Sequence, residues 1–374
     1  MGLTTTMPSP LDEYPVHQTP LPMDRVATSD RNFYDRCYIN LHDQSGEIFM
    51  VTGLGVYPNL GVIDAYAAAR TGDQVHSVRF SDALGERSLD QQVGGYRIDV
   101  AEPLRQLDLH CQSPDGSLDF DLHWTAAFPA VQEEPHLLLA GRRPILDASR
   151  FCQVGRWSGQ LKVGDREFTV TPDEFGGARD RSWGIRPSGE PDPPGRSADE
   201  TPQGFWWLYA PLQFGSCAVI IILQENPDGF RTVNDARRVF PDGRVEQLGW
   251  PRHEIRYRSG SRHPESARIE LTDPAGKPLK LELETVTSVP LHVGAGYSGD
   301  PDWSHGRWMG RNWSAATVYD LADPVDLAIV RAIVDLANAL GIASVAEGVE
   351  TQEQARMLRA AGCQVGQGFY FSGR

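Results

Sequence analysis

Long hydrophobic runs are missing from this chain. The longest, Cys217-Ala218-Val219-Ile220-Ile221-Ile222-Leu223, has seven residues, against the roughly 20 that cross a bilayer as a helix. No membrane span is predicted, and the run reads as a buried strand. The first residues, Met1-Gly2-Leu3-Thr4-Thr5-Thr6-Met7-Pro8, have neither a basic start nor an apolar core. No secretory leader is expected, and the expected compartment is the cytoplasm. Cysteine is sparse: Cys37, Cys111, Cys152, Cys217 and Cys363 are widely spaced, with no Cys-x-x-Cys pair, which argues against a zinc knuckle or a disulfide framework. Positive charge is in deficit, 35 Lys and Arg against 50 Asp and Glu, for a net −15. Nonspecific nucleic-acid or anionic-membrane partners are therefore not expected. There is no Gly-x-Ser-x-Gly elbow, His-Glu-x-x-His or phosphate-binding loop. Gly53-Leu54-Gly55 opens like a dinucleotide fingerprint, but Pro58 blocks the helix such a loop must start.

What is present fits a soluble protein of two or three domains: 374 residues, 40% hydrophobic and 23% charged. Residues 1–30 hold Pro8, Pro10, Pro15, Pro20 and Pro22 and read as an extended arm. Residues 31–320 read mostly as β. Leu118, Phe120, Leu122 and Trp124 alternate with Asp119, Asp121 and His123, and Leu107, Leu109 and Cys111 alternate with Asp108 and His110. With Pro114-Asp115-Gly116 between them, these form a predicted hairpin with one wet face. The acids and histidines could line up as a metal face, but a solvated sheet face has the same pattern, so no metal is expected. A second predicted hairpin joins 268–272 to 279–284, and Asp228-Gly229 and Asp242-Gly243 mark further turns. This length and texture predict two antiparallel barrels or sandwiches, at 31–170 and 171–322.

The texture changes near Asp323-Pro324. Leu327, Val330, Ile333, Val334, Ala337 and Leu340 recur at helical spacing, and Gly341 follows as a stop. A strand at 343–346, a helix from Thr351 to Ala361 and a strand at 363–371 complete a short α/β tail, 326–374. The run Ala346-Glu347-Gly348-Val349-Glu350-Thr351, with Gln367-Gly368-Phe369-Tyr370-Phe371, resembles the end of an EAL domain, the bacterial phosphodiesterase module for cyclic-di-GMP. The resemblance implies part of a TIM barrel, with Glu347 and Gln367 as site remnants. The remaining metal-binding motifs are missing: there is no Glu-Ala-Leu and no paired aspartate. Mg²⁺ or Mn²⁺ chemistry would need a second chain to complete the site. Two strands cannot close an eight-stranded barrel, so the tail could self-associate through its edges. The absent linker at 323–326 suggests a fusion or a spliced reading frame.

The body carries Arg179-Asp180-Arg181-Ser182-Trp183-Gly184, preceded by Asp12-Glu13-Tyr14-Pro15 and Arg31-Asn32-Phe33-Tyr34-Asp35. Together these resemble a bacterial family of tandem lipocalin-like (calycin) proteins related to carotenoid 1,2-hydratases, or hydroxyneurosporene synthases. That resemblance implies a fold better than an activity. Asp180 is the candidate proton donor to a double bond, since desolvation in an apolar site would keep it protonated. Arg179, Trp183, Trp206 and Trp207 are the candidate ligand-binding residues. Arg181 stands where the family often has His. Three readings follow: an enzyme that hydrates or isomerises a small apolar ligand such as a terpenoid, polyene or acyl compound; a noncatalytic carrier of such a ligand, with Asp180 in a structural ion pair; and a cyclic-di-GMP signalling protein. No cofactor is expected for the first two.

Overall fold

A computed structural model gives the fold. It describes residues 13–15, 26–85, 89–140, 142–186, 206–259, 263–297 and 303–321, and beyond them residues 345, 346, 356, 359, 365 and 366. The first strands are β1 (Phe33–Asp43), β2 (Ile48–Tyr57), β3 (Val62–Thr71), β4 (Gln74–Ala83), β5 (Gln92–Val93), β6 (Tyr96–Glu102), β7 (Gln106–Cys111) and β8 (Leu118–Ala126). They continue as β9 (Val131–Gln132), β10 (His136–Ala140), β11 (Arg143–Val163), β12 (Arg166–Val170) and β13 (Phe175–Ile185). Next come β14 (Trp206–Gln213), β15 (Ala218–Glu225), β16 (Arg231–Val239), β17 (Val245–Gln247), β18 (Arg252–Tyr257), β19 (Pro264–Thr272) and β20 (Pro278–Glu284). The last are β21 (Trp313–Asp320), β22 (Val345–Ala346) and β23 (Val365–Gly366).

A 14-stranded sheet takes β1 to β13 and β21, in the order β21-β4-β3-β2-β1-β13-β11-β8-β7-β6-β5, with β9, β10 and β12 also paired to β11. It curls until β5 and β8 approach β4. Inside the curl lie Ile39, Leu41, Met50, Leu122, Trp124 and Trp157. The rings of Trp124 and Trp157 meet edge to face at 5.1 Å, and the Trp157 indole N–H donates to the Asn40 carbonyl at 2.9 Å. A void of ≈ 10 Å³ beside Arg179 has room for about one water. Among the described residues the interior is lined by buried, mutually packed apolar side chains.

β14 to β17 form a second sheet and β18 to β20 a third. The apolar run at Cys217–Leu223 explains their stacking. In β15, Ala218, Ile220 and Ile222 face the first sheet, where they pack with Val131, Cys152, Val154 and Ala178. Val219, Ile221 and Leu223 face the third sheet and pack with Leu248, Ile269 and Leu271. Successive side chains point to opposite faces of a strand, so a strand between two sheets is apolar throughout. The chain is mainly β, as expected, but the arrangement of two barrels is corrected. The described strands make one curled half-barrel and two small stacked sheets, because four and three strands are too few to close.

Both predicted hairpins are present, as β7–β8 and β19–β20. The residues read as a possible metal face pair across strands instead: His123 with Asp108 at 2.6 Å and His110 with Asp121 at 3.0 Å. Among the described residues no group of three or more ligating side chains is assembled, and no helix is long and apolar enough to cross a membrane.

Of the expected tail, the described residues show a two-residue parallel pair, β22 with β23, and helical positions Arg356 and Arg359; an α/β barrel fragment is not seen among them, and the rest of 326–374 lies outside the described residues. Glu347 and Gln367 lie outside the described residues.

Candidate functional site between the first and second sheets

The register of β13 decides which motif residues can act together. Asp180 stands directly opposite Tyr38 of β1 and Cys152 of β11. One row along, Ser182 stands opposite Arg36 and Arg150. These side chains share one face. Arg179, Arg181 and Trp183 occupy the other, so adjacent candidates from the sequence motif are on opposite sides of the sheet.

On the inner face the arginines are consumed. Arg179 donates through both terminal nitrogens to the two carboxylate oxygens of Glu13, one at 2.9 Å, and through Nε to Gln153 Oε1 at 2.8 Å. Glu13 also accepts the Leu104 N–H at 2.6 Å. Arg181 donates to Asp35 at 2.9 Å and to Gln91. The structural ion pairs of this motif are thus Arg179–Glu13 and Arg181–Asp35, and neither uses Asp180.

The outer face meets the second sheet. Arg150 lies over the rings of Trp207 and Tyr209, at 5.2 and 5.3 Å to their centroids, and its Nε donates to Glu133. His136 stacks on Trp207 at 5.4 Å. Trp206 points the opposite way, stacking on His253 at 4.7 Å. Of the four ligand-binding candidates, the fold brings only Trp207 near Asp180.

Asp180 has no hydrogen bond or ion pair among the described residues. It keeps a partial opening to solvent within a dense protein surround. Burial pushes its carboxyl above the usual range, while the charges of Arg150, Arg36 and Arg186 pull it back. Burial likewise pushes Glu133 up to about 7, outweighing its partner Arg150. A carboxyl raised by burial, beside solvent and aromatic walls, is a candidate proton donor.

The same face carries a group that sequence reasoning missed. The row through Arg36 continues across Gly55 to Asp64 and Ser81. Asp64 is fully buried, and burial pushes it up to about 7 against the Gly306 N–H and the charge of Arg36. Over it, Ala295, Tyr297 and Trp303 pack with Tyr66, and His305 is enclosed beside them. Arg36 lies 5.1 Å from the Tyr297 ring centroid. The readable signal was a lone acid in Val62-Ile63-Asp64-Ala65-Tyr66-Ala67-Ala68-Ala69, a strand otherwise apolar on both faces.

Fold and site define a mainly β protein with buried ionisable groups on both faces of its first sheet. The chain belongs to a family of unknown function (DUF8625), whose model matches residues 9–355. That span includes the predicted junction at 323–326. Among solved structures, an AttH protein of Nitrosomonas europaea is 12% identical with a TM-score of 0.46, over 75% of this chain and 98% of that one. Kievitone hydratase from Nectria haematococca is 12% identical with a TM-score of 0.43, over 73% and 82% of the two chains. CghA, solved with Sch210972, is 13% identical with a TM-score of 0.43, over 68% and 76%. No curated protein matches the chain.

Proposed function

We propose that this protein binds a small, largely apolar molecule between its first and second sheets and transforms it by proton transfer from Asp180, in a hydration or an isomerisation. One observation carries this reading: Asp180 is a partly exposed acid with no hydrogen bond or ion pair among the described residues, its carboxyl raised by burial, set near Tyr38, Arg150 and Tyr209. The proton moves from the carboxyl oxygen to a double-bond carbon; a C–H bond forms, the π bond breaks and the neighbouring carbon becomes electron-deficient. Hydration follows if water adds there and loses a proton. Isomerisation follows if an adjacent carbon returns its proton to the Asp180 carboxylate. The charges of Arg36, Arg150 and Arg186 stabilise that carboxylate meanwhile. The filled interior of the first sheet supports placing the ligand between sheets.

The test is incubation with polyene, terpenoid and acyl compounds in D₂O, followed by mass spectrometry of the recovered compound. Deuterium on carbon is expected with the wild type and about 10²-fold less with Asp180→Asn, while native mass spectrometry shows both proteins binding. Equal labelling by both would refute the role of Asp180. Binding without labelling by either would leave the carrier reading.

A further inference from the structure

Asp64, Tyr57 and His305 bring together polar atoms that the described protein does not satisfy. Asp64 Oδ2 accepts the Gly306 N–H at 2.6 Å, but Oδ1 has no partner of hydrogen-bond geometry. His305 Nδ1 lies 3.9 Å from that oxygen, too far for a hydrogen bond, and neither ring nitrogen is paired. The Ala295 carbonyl is close to the ring without adopting bonding geometry. The Tyr57 hydroxyl comes close enough to Asp64 to lower its carboxyl but does not reach bonding geometry with it or with another described group. Gly55 creates its place: a Cβ there would lie 2.4 Å from the Tyr57 hydroxyl. Aromatic rings wall the group, with Tyr66, Tyr297 and Trp303 at 5.0, 5.0 and 4.8 Å from the His305 ring.

Buried polar atoms without partners are rare because each forfeits its hydration. Three residues with such atoms at one point call for a ligand atom. Its nature follows from the protonation states. Burial keeps Asp64 protonated towards neutral pH, and burial with the charges of Arg36 and Arg186 keeps His305 neutral. The group then offers a carboxylic O–H, a phenolic O–H and one imidazole N–H. All three donors can converge on one atom, and an oxygen that only accepts would satisfy them together. Arg36 favours negative charge on that oxygen. A neutral carboxylic acid beside a tyrosine hydroxyl in an apolar site is an established way to hold such an oxygen.

We propose that Tyr57, Asp64 and His305 form an oxyanion site, which receives the oxygen of a conjugated carbonyl compound or a phenolate, with Arg36 supplying the positive field. The site is separate from Asp180. β3 and β13 are three strand spacings apart, about 14 Å, too far for both acids to touch one double bond. It therefore stands whether or not Asp180 transfers a proton.

p-Nitrophenol tests the proposal, because its phenolate absorbs visible light and its phenol does not. The full-length protein is titrated with the probe at a pH where the free compound is mostly phenol. A saturable rise in phenolate absorbance is expected. Tyr57→Phe, which keeps the ring and removes only the hydroxyl, should weaken binding by about tenfold. Asp64→Leu should weaken it at least as much, while Asp64→Asn, which retains an N–H donor, should stay within a few-fold of wild type. Circular dichroism and thermal melts establish that each variant is folded. No saturable absorbance change in the wild type, or equal binding by wild type and Tyr57→Phe, would overturn the proposal.

Discussion

Asp64→Asn should make the protein more stable at alkaline pH, against the usual outcome of changing a buried residue. Burial raises the Asp64 carboxyl from 3.8 to about 7, a gap of about 3 pH units. At about 1.4 kcal/mol per unit, ionising Asp64 costs the folded state about 4 kcal/mol. The sign follows from proton binding. The folded protein holds this proton more tightly than the unfolded chain, so its contribution is fully present below 3.8 and declines as pH rises towards 7. Asparagine is the same size, cannot ionise and keeps an oxygen for the Gly306 N–H. The variant should therefore match wild type within about 1 kcal/mol near pH 4.5 and exceed it by roughly 2–4 kcal/mol at pH 8.5. Urea denaturation across this range gives the difference directly. The other raised acids, Glu133 and Asp180, are common to both proteins and cancel. A variant less stable than wild type at pH 8.5, or a difference that ignores pH, would refute the assignment of Asp64 as a strained, proton-holding acid.

Two more outcomes test the structural side of the motif. Glu13→Gln should destabilise by about 3 kcal/mol at neutral pH, because it leaves the buried Arg179 charge uncompensated. Burial opposes ionisation of Glu13, but Arg179 outweighs it and holds the carboxyl below its ordinary 4.5. The stabilisation is therefore present above 4.5 and fades as pH falls through the lower folded value, and urea titrations should show the two proteins converging there. Gly177→Ala should lower stability by about 1–3 kcal/mol or more. Its Cβ would sit 2.1 Å from the Asn40 carbonyl oxygen, the atom that accepts the Trp157 indole N–H. A thermal melt unchanged from wild type would contradict the close approach of β1 and β13.

The local β structure was legible because it depends on neighbours in sequence. Alternation at 107–111 and 118–124 and the Pro114-Asp115-Gly116 turn specify a hairpin without help from the rest of the chain. The run Val219-Ile220-Ile221-Ile222-Leu223 announces a strand buried on both faces, although not which sheets cover it. Long-range pairing was not legible. Nothing in Trp313–Asp320 shows that it returns to β4. Glu13 reaches Arg179 across 166 positions, a contact that nothing local in the extended arm shows. Strand parity puts Arg179 and Trp183 on the face opposite Asp180, a rule available from the sequence once β13 was assigned. Trp206 and Trp207 divide for the same reason. The approach of His305 to Asp64 depends on a long-range closure that no local pattern encodes.

The two faces of the first sheet treat their acids differently, and that contrast locates function. On the inner face Glu13 is doubly bonded by an arginine and held below its ordinary value, as expected of an ion pair that fastens the arm. On the outer face Asp64, Glu133 and Asp180 are all raised, and Asp64 and Glu133 each keep an unpaired oxygen. Each raised acid weakens the fold at neutral pH. Among the described residues three such groups lie on this face and none on the other, which packing alone does not explain. A fold selected only for stability could replace each with an amide of the same size. Their presence together with Arg36, Arg150 and Tyr57 fits a face whose protons and hydrogen-bonding groups are what the protein uses. The outer face, and not the barrel-like interior, is where a ligand should be sought.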